Sequence, residues 1–514
     1  MSLAVVLTRA NIGIDAPMVR VEAHLSNGLP GFTIVGLPET AVKESKERVR
    51  SALLNSQLDF PDKRITINLA PADLPKSGGR YDLAIAIGIL AASGQLPTES
   101  LQDIEFLGEL ALSGEVRAIT AVLPGIMAAQ NAGHEVIIPQ DNEKEAGLLS
   151  KGKTLVAPHL LDVLSHLNHA SELARPTSTP LREPYFNEDM SDVIGQSAAR
   201  RALIVAAAGN HNLLMLGPPG AGKTMLASRI CTILPPMDES GALAVAALRS
   251  IAAKAFKPEY WRVPPFRAPH HTASAVALVG GGSTLKVGEI TLAHNGVLFL
   301  DELPEFSPKV LEVLREPLES GYISISRASY QVRLPARFQL IAAMNPCPCG
   351  YLGDTEGRCR CSTEKVRQYQ ARVSGPLLDR IDMHVNVSSL SDYDRERLLK
   401  GNQQNSENSE EIRARVTQAS ARQFARAGKN NAFLSQAEMR KHCKLSSQDE
   451  QRLKQAMQQF KLSTRAFFRI LKMARTIADL DDATDIGRSH LMEAIAFRFP
   501  QQSGASFPGL PPGQ

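Results

Sequence analysis

Residues Gly217, Pro218, Pro219, Gly220, Ala221, Gly222, Lys223 and Thr224 carry the G-x-x-x-x-G-K-[ST] spacing of a phosphate-holding loop. A short apolar run, Leu213 to Leu216, precedes it and a helical run follows, the context that such a loop requires. Glycines let successive backbone N–H groups curl around phosphate oxygens. A helix starting near Lys223 adds its positive end. Lys223 places a charge at the β- and γ-phosphates, and the Thr224 hydroxyl ligates Mg²⁺. Downstream, the apolar run Val297 to Leu300 ends in Asp301-Glu302. Two carboxylates at the end of a buried strand are costly unless something pairs with them. Mg²⁺ for Asp301 and an attacking water for Glu302 are suitable partners. A further apolar run, Phe338 to Met344, ends in Asn345, which could orient the same water from a neighbouring strand. ATP and Mg²⁺ are the expected ligands.

A second constellation is CPCGYLGDTEGRCRC, in which Cys347, Cys349, Cys359 and Cys361 read C-x-C-x9-C-x-C. Four thiolates on one loop can close a tetrahedral Zn²⁺ site, and four such ligands leave no open position, so the metal would be structural. The spacing is tighter than the usual C-x₂-C pairs, and a redox cluster and free thiols stand as alternatives. Arg358 and Arg360 flank the loop. Cys231 and Cys443 stand alone and read as small buried apolar side chains.

The elements that must hold these groups fall into three blocks. Residues 1–168 mix β-rich runs such as Arg64 to Leu69 with apolar helical stretches such as Leu83 to Ala92. Residues 169–189 are rich in Pro, Ser and Thr and read as a linker. Residues 190–390 alternate strand-like runs with helical segments, the pattern of an α/β domain with a parallel sheet. Residues 391–500 are helical, with helices expected over Glu411 to Ala427 and Thr464 to Asp479, and 501–514 read as a disordered tail. A length of 514 residues and 43% apolar content allow each block a core. A net charge of +4 excludes a histone-like polycation, though a local basic pore would be invisible in it. The longest apolar runs fall short of the roughly 18 residues of a membrane span, and no secretory pattern opens the chain. A soluble cytoplasmic protein without membrane partners is expected.

GPPGAGKT, AHNGVLFLDELPEF, AAMNPCPCGY and SGPLLDRIDMH together resemble the Mg-chelatase-like AAA+ ATPases of the ComM/YifB family. The resemblance runs through nearly the whole chain, including GFTIVGLPETAVKESKERVRSAL in the first block. It implies an AAA+ core with a helical lid, preceded by a Lon-protease-like α+β domain. It implies a hairpin in GYISISRASYQVRLPARFQLI with Ile323, Ile325 and Val332 alternating around a tip at residues 326–329. In ring motors such hairpins face the pore, where Arg327 and Arg333 would meet a phosphate backbone; an exposed hairpin with an idle Arg is the alternative. The second insertion, residues 265–290, carries His270-His271, three consecutive glycines and Lys286, and reads as a mobile loop. Its Lys286 would also contact DNA; two adjacent histidines in a loop could contact a partner or be ordinary packing residues.

The resemblance further assigns Arg380 to a trans-acting arginine finger and Arg465 to the second sensor, with surface salt bridges as the plain alternative. An arginine finger makes the active unit an oligomer, a homo-hexameric ring. In the Lon-like block Arg80 stands where the catalytic Ser would be and Pro124 where the Lys base would be, so no protease is expected. Lys76 and Ser77 are adjacent and would point to opposite faces of a strand. Lys43, Lys46, Arg48 and Arg50, interleaved with Glu44 and Glu47, form either a basic face or a solvated mixed-charge helix. The implied function is an ATP-driven motor on single- and double-stranded DNA. It would act as a helicase or branch-migration factor for DNA integration in natural transformation, with recombination proteins as further partners. A chelatase-like ATPase that remodels a protein partner is the rival, and a slow nucleotide-dependent scaffold is a third reading.

Overall fold

A computed structural model describes residues 3–149, 152–179, 186–254, 257–282, 286–326, 331–353, 357–389, 394, 396, 407–460 and 462–498. The chain forms two compact units: residues 1–183 with 242–261 and 326–334, and the remainder.

The first unit is built on a seven-stranded mixed sheet. Its strands are β1 (Leu3–Arg9), β2 (Met18–Ser26), β3 (Gly31–Val35), β4 (Arg64–Ala70), β5 (Ile104–Phe106), β6 (Glu135–Pro139) and β7 (Thr154–Ala157), in the order β3-β4-β2-β1-β5-β6-β7. Strict alternation along β2 sends Val19, Val21, Ala23 and Leu25 to the core and their neighbours outward. Three helices matter here: α1 (Ser45–Asn55), α2 (Asp82–Ala92) and α3 (Val122–Asn131). Helix α2 is apolar on nearly every side and all its residues are buried, as such a helix must be. Gly88 lets it lie close to the sheet, since a Cβ there would stand 3.2 Å from that of Ala23.

Of the two readings of the run Lys43 to Arg50, the solvated mixed-charge face fits, with Lys43, Glu44, Lys46, Glu47 and Arg50 exposed. The run containing Lys43 to Arg50 breaks into two helices, Thr40–Lys43 and α1, and Arg48 turns inward to the buried Asp82, with Nε–Oδ2 and Nη2–Oδ1 distances of 2.6 and 3.1 Å. Burial pushes the Asp82 carboxyl up, and the guanidinium opposes that shift. Arg80 is buried, and its Nη2 donates to the carbonyls of Thr120 and Ala121. Pro124 is buried inside α3. Lys76 is buried with its ammonium donating to the Pro71 carbonyl, while Ser77 is exposed. Lys76 lies in an isolated bridge to Pro38 and not in a regular strand, so the strand geometry expected of the pair is absent, yet the two side chains still diverge. Part of the stretch read as linker is bound to this unit. Thr177 donates to Glu143 through both its backbone N–H and its hydroxyl, and the Val156 N–H donates to the Ala174 carbonyl. Residues 180–185 lie outside the described residues.

The second unit carries a five-stranded sheet of β8 (Leu213–Leu216), β9 (Phe266–Arg267), β10 (Val297–Leu300), β13 (Gln339–Met344) and β14 (Met383–Asn386), ordered β9-β10-β13-β8-β14, with every pairing parallel. Strands β8, β10 and β13 are buried along their whole length, which explains why they read as continuous apolar runs. Strand β11 (Tyr322–Ser326) and strand β12 (Gln331–Pro335), most of which belongs to the first unit, flank residues 327–330, and Ile323, Ile325, Val332 and Leu334 are buried. Helices α4 (Ser197–Gly209) and α5 (Lys223–Ile233) precede the later helices α6 (Thr363–Ala371), α7 (Ser409–Ala427) and α8 (Thr464–Leu480). Ile412, Val416 and Ala419 of α7 and Ile470, Met473 and Ile477 of α8 share one core with Leu213 and Met215 of the sheet. The helical third block therefore lies in the same compact unit as the sheet.

Candidate active site

In an open parallel sheet, ligands sit beyond the carboxyl ends of the strands, at a switch in strand order. Here β8 lies between β13 and β14, with Leu216 level with Met344 and Asn386. The loop of residues 217–222 leaves β8 at that edge and turns into α5, whose first residue is Lys223. Gly220 and Gly222 have φ of +74° and +86°, conformations that favour glycine. A Cβ on Gly217 would stand 2.1 Å from the Val387 carbonyl oxygen, so the backbone can pass there only without a side chain.

Three neighbouring strands deliver the chemical groups. Lys223 Nζ donates to the carbonyls of Gly217 and Pro218, each at 2.8 Å, and to Asn345 Oδ1 at 3.0 Å. Burial lowers the Lys223 ammonium pKa, and the Asp301 and Glu302 carboxylates oppose that shift. Thr224 Oγ1 donates to Asp301 Oδ2 at 2.6 Å, and Asp301 Oδ1 accepts from the Glu302 N–H at 2.9 Å. A hydroxyl and a carboxylate oxygen side by side form a hard-oxygen donor set that suits Mg²⁺. Phosphate loop, paired carboxylates and Asn345 thus lie together, as their motifs suggest.

The four cysteines also converge. Cys347, Cys349, Cys359 and Cys361 hold their sulfurs within 4.8 Å of one another, with three separations of 3.3, 3.7 and 3.8 Å. Thiolates about 2.3 Å from a tetrahedral zinc stand about 3.8 Å apart, so the donor set fits that ion. A Cβ on Gly350 would meet Pro219 Cδ at 2.4 Å, so the cysteine loop is packed against the phosphate loop. Arg358 lies over the Tyr351 ring at 4.6 Å. Purified protein should carry about one zinc per chain; metal analysis with thiol titration checks this, and far less zinc with all thiols reactive would reject it.

Arg380 and Arg465 meet elsewhere in the same unit. Both line a cavity of about 570 Å³, together with Arg337, Arg469 and Lys472, and neither the phosphate loop nor Asp301, Glu302 or Asn345 borders it. Arg380 is buried, paired with Glu319 and donating to the Pro376 carbonyl at 2.6 Å. Asp382 at the cavity wall is pushed up by burial, but Arg469, His211 and the Asn212 N–H together hold its carboxyl well below the usual range. Arg465 is exposed at the first turn of α8.

Of the residues assigned to DNA, Arg333 and Lys286 are exposed, on β12 and on a short strand Lys286–Val287. Arg327 lies outside the described residues. One contact has no sequence signal beyond the histidine pair itself: His271 Nδ1 stands 3.4 Å from Glu302 Oε2.

Models of the magnesium chelatase subunit ChlI match residues 189–395, of subunit ChlI of Mg-chelatase residues 21–142, and of the ChlI C-terminal region residues 406–498. The chain is 50% identical over 504 residues to competence protein ComM of Haemophilus influenzae, covering 97% of this chain and 98% of that protein. It is 48% identical to YifB of Escherichia coli, covering 97% of each. A shorter similarity, 29% identity over 193 residues, links 33% of the chain to 35% of Lon protease 2 of Bacillus subtilis. Matched along nearly its full length, with phosphate loop, carboxylates and Asn345 on one sheet edge, the chain belongs to the ComM/YifB family of magnesium-chelatase-like AAA+ proteins.

Proposed function

We propose that the protein is an ATP-hydrolysing motor that works on DNA as a ring of six copies. Its task is helicase or branch-migration activity that promotes integration of DNA by homologous recombination in natural transformation. The observation that supports this most is the separation of two half-sites within one unit. The phosphate loop, Asp301, Glu302 and Asn345 form one; the cavity holding Arg380 and Arg465 forms the other, with no group in common. Two halves that do not meet in one copy can meet between copies.

In that reading, Lys223 leaves its carbonyl partners for the β- and γ-phosphates of ATP. Thr224 and Asp301 hold Mg²⁺, which when bound supplies charge stabilisation at the phosphates. Glu302 takes a proton from the water that attacks the γ-phosphorus, and Asn345 orients that water. The products are ADP and phosphate. Arg380 of one copy reaches the γ-phosphate of the next, where charge develops, and Arg465 serves as the second sensor. The cysteine loop, with structural zinc, braces the phosphate loop through Gly350 and Pro219. Arg327, Arg333 and Lys286 contact the DNA backbone. Residues 1–168 act as a Lon-like domain without protease chemistry, since neither a free hydroxyl nor an amine stands at the dyad positions. Residues 391–500 act as the lid that carries Arg465. The name competence protein, borne by the Haemophilus relative, supports the link to transformation.

The chelatase models, which match three segments of the chain, favour a second reading, an ATPase that remodels a protein partner. DNA separates the two. ATP turnover should rise when DNA is added, and the protein should move strands on a model junction. Absence of DNA binding at about 100 mM salt, where phosphate contacts still hold, would favour the chelatase-like reading.

A further inference from the structure

We infer that the turn joining β1 to β2 in the first unit is the seat of strand β12: it fixes which side of that strand faces outward and so positions Arg333 for a phosphate backbone. The inference rests on the DNA reading above and gives residues 1–168 a task within it.

Residues 12–15 form a tight turn. The Ile12 N–H donates to the Asp15 carbonyl at 2.9 Å, and the Asp15 N–H to the Ile12 carbonyl at 3.1 Å. Gly13 is its first central residue, with φ of +63°, a conformation that favours glycine. The tip of such a turn ordinarily meets water. Gly13 is buried instead, while Ile14 and Asp15 beside it are exposed. Strand β12 covers it. A Cβ on Gly13 would stand 2.8 Å from Val332 Cγ1 and 2.9 Å from Leu334 Cδ2, so these two side chains rest on the bare backbone of the turn. Both are buried as well. Residues 326–334 accordingly belong to the first unit, although the chain on either side of them does not.

The turn is stiff. Arg9, the last residue of β1, grips Glu105 on β5 with Nε–Oε2 and Nη2–Oε1 distances of 2.6 and 2.5 Å. Its Nη1 donates to the Ala16 carbonyl, on the far side of the turn, at 3.2 Å. Glu105 is fully buried. One guanidinium thus ties both ends of the turn to the sheet, and a two-pronged pair of this kind fixes direction as well as distance.

Alternation along β12 does the rest. Val332 and Leu334 lie on one side of the strand, and Arg333 between them lies on the other, exposed. Seating the two apolar side chains on Gly13 therefore decides where Arg333 goes. A slip by one residue would send Arg333 into the seat and an apolar side chain to water. A second segment of the ATPase block, residues 242–261, is held by the same unit. Ser250, near the end of a helix at Glu239–Ile251, donates through its hydroxyl to Glu145 Oε2 at 2.5 Å, and its carbonyl accepts from the Ala121 N–H at 3.0 Å.

The test is the DNA affinity of the full-length protein as a function of salt, with ATP turnover measured without DNA. Gly13→Leu places a side chain where Val332 and Leu334 rest. It should leave turnover without DNA unchanged and weaken DNA binding about tenfold. The fall of affinity with salt should become shallower, because fewer phosphates are contacted. Val332→Ala, which empties the seat without straining the turn, should show the same changes to a smaller degree. Arg333→Ala should match Gly13→Leu, and the double variant should be no weaker than either alone, since both remove one contact. A seat that only stabilised the fold would lower the melting temperature and turnover without DNA and leave the salt dependence as it was, which would overturn the inference. So would additive losses in the double variant, full DNA affinity in Arg333→Ala, or unaltered DNA binding in both Gly13→Leu and Val332→Ala. No DNA binding by the unaltered protein would overturn the DNA reading and the inference with it.

Discussion

Glu302→Gln should bind ATP like the unaltered protein and hydrolyse it about 10³-fold more slowly, within the range that loss of a general base produces. The amide keeps the shape of the side chain and removes the site that takes the proton. Nothing that holds the nucleotide changes, because Lys223 donates to Gly217, Pro218 and Asn345 and Thr224 donates to Asp301, and among the described residues none of these bonds uses the Glu302 side chain. Nucleotide affinity and single-turnover rate, measured separately, check the two halves of the expectation. A variant that turns over at the normal rate would remove Glu302 from the chemistry. Its exposure, and its place directly after Asp301, which is engaged by Thr224, make it the carboxylate best placed to meet water.

Arg380→Ala should lower turnover by about 10³-fold or more while leaving each copy folded. The partner that it abandons, Glu319, is more than half exposed, so no buried charge is orphaned. The distinctive expectation concerns mixtures. Arg380→Ala retains an intact phosphate loop, and Lys223→Ala retains an intact arginine. Each alone should be inactive, and a mixture should recover turnover, because a site between two copies can draw its loop from one and its guanidinium from the other. An Arg380→Ala protein that hydrolyses ATP normally would contradict the role. Failure of the mixture to recover would place both groups in one copy's site.

The phosphate loop, Asp301-Glu302 and Asn345 are legible in the chain because each follows a fully buried strand. A strand buried on both faces leaves a continuous apolar run, and the polar residue that ends it marks the sheet edge. The cysteine set is legible for a similar reason: four thiols that converge on one loop must be near in sequence. The mixed composition of Lys43 to Arg50 pointed to a solvated face, but what decided Arg48 was the buried Asp82 on another helix, a need invisible from α1 alone. The linker boundary was blurred for the same reason, since Thr177 finds its acceptor in Glu143.

The sequence by itself therefore determined which groups exist and which short-range chemistry they can perform, because backbone loops, helix starts and strand ends are written in contiguous residues. Only the tertiary structure decided which distant groups meet. Arg380 and Arg465 share one cavity, Gly350 presses on Pro219, and His271 faces Glu302. Those meetings depend on strand order and on which helix face packs against the sheet, and side chains on different elements are brought together by burial of the core and not by any local pattern.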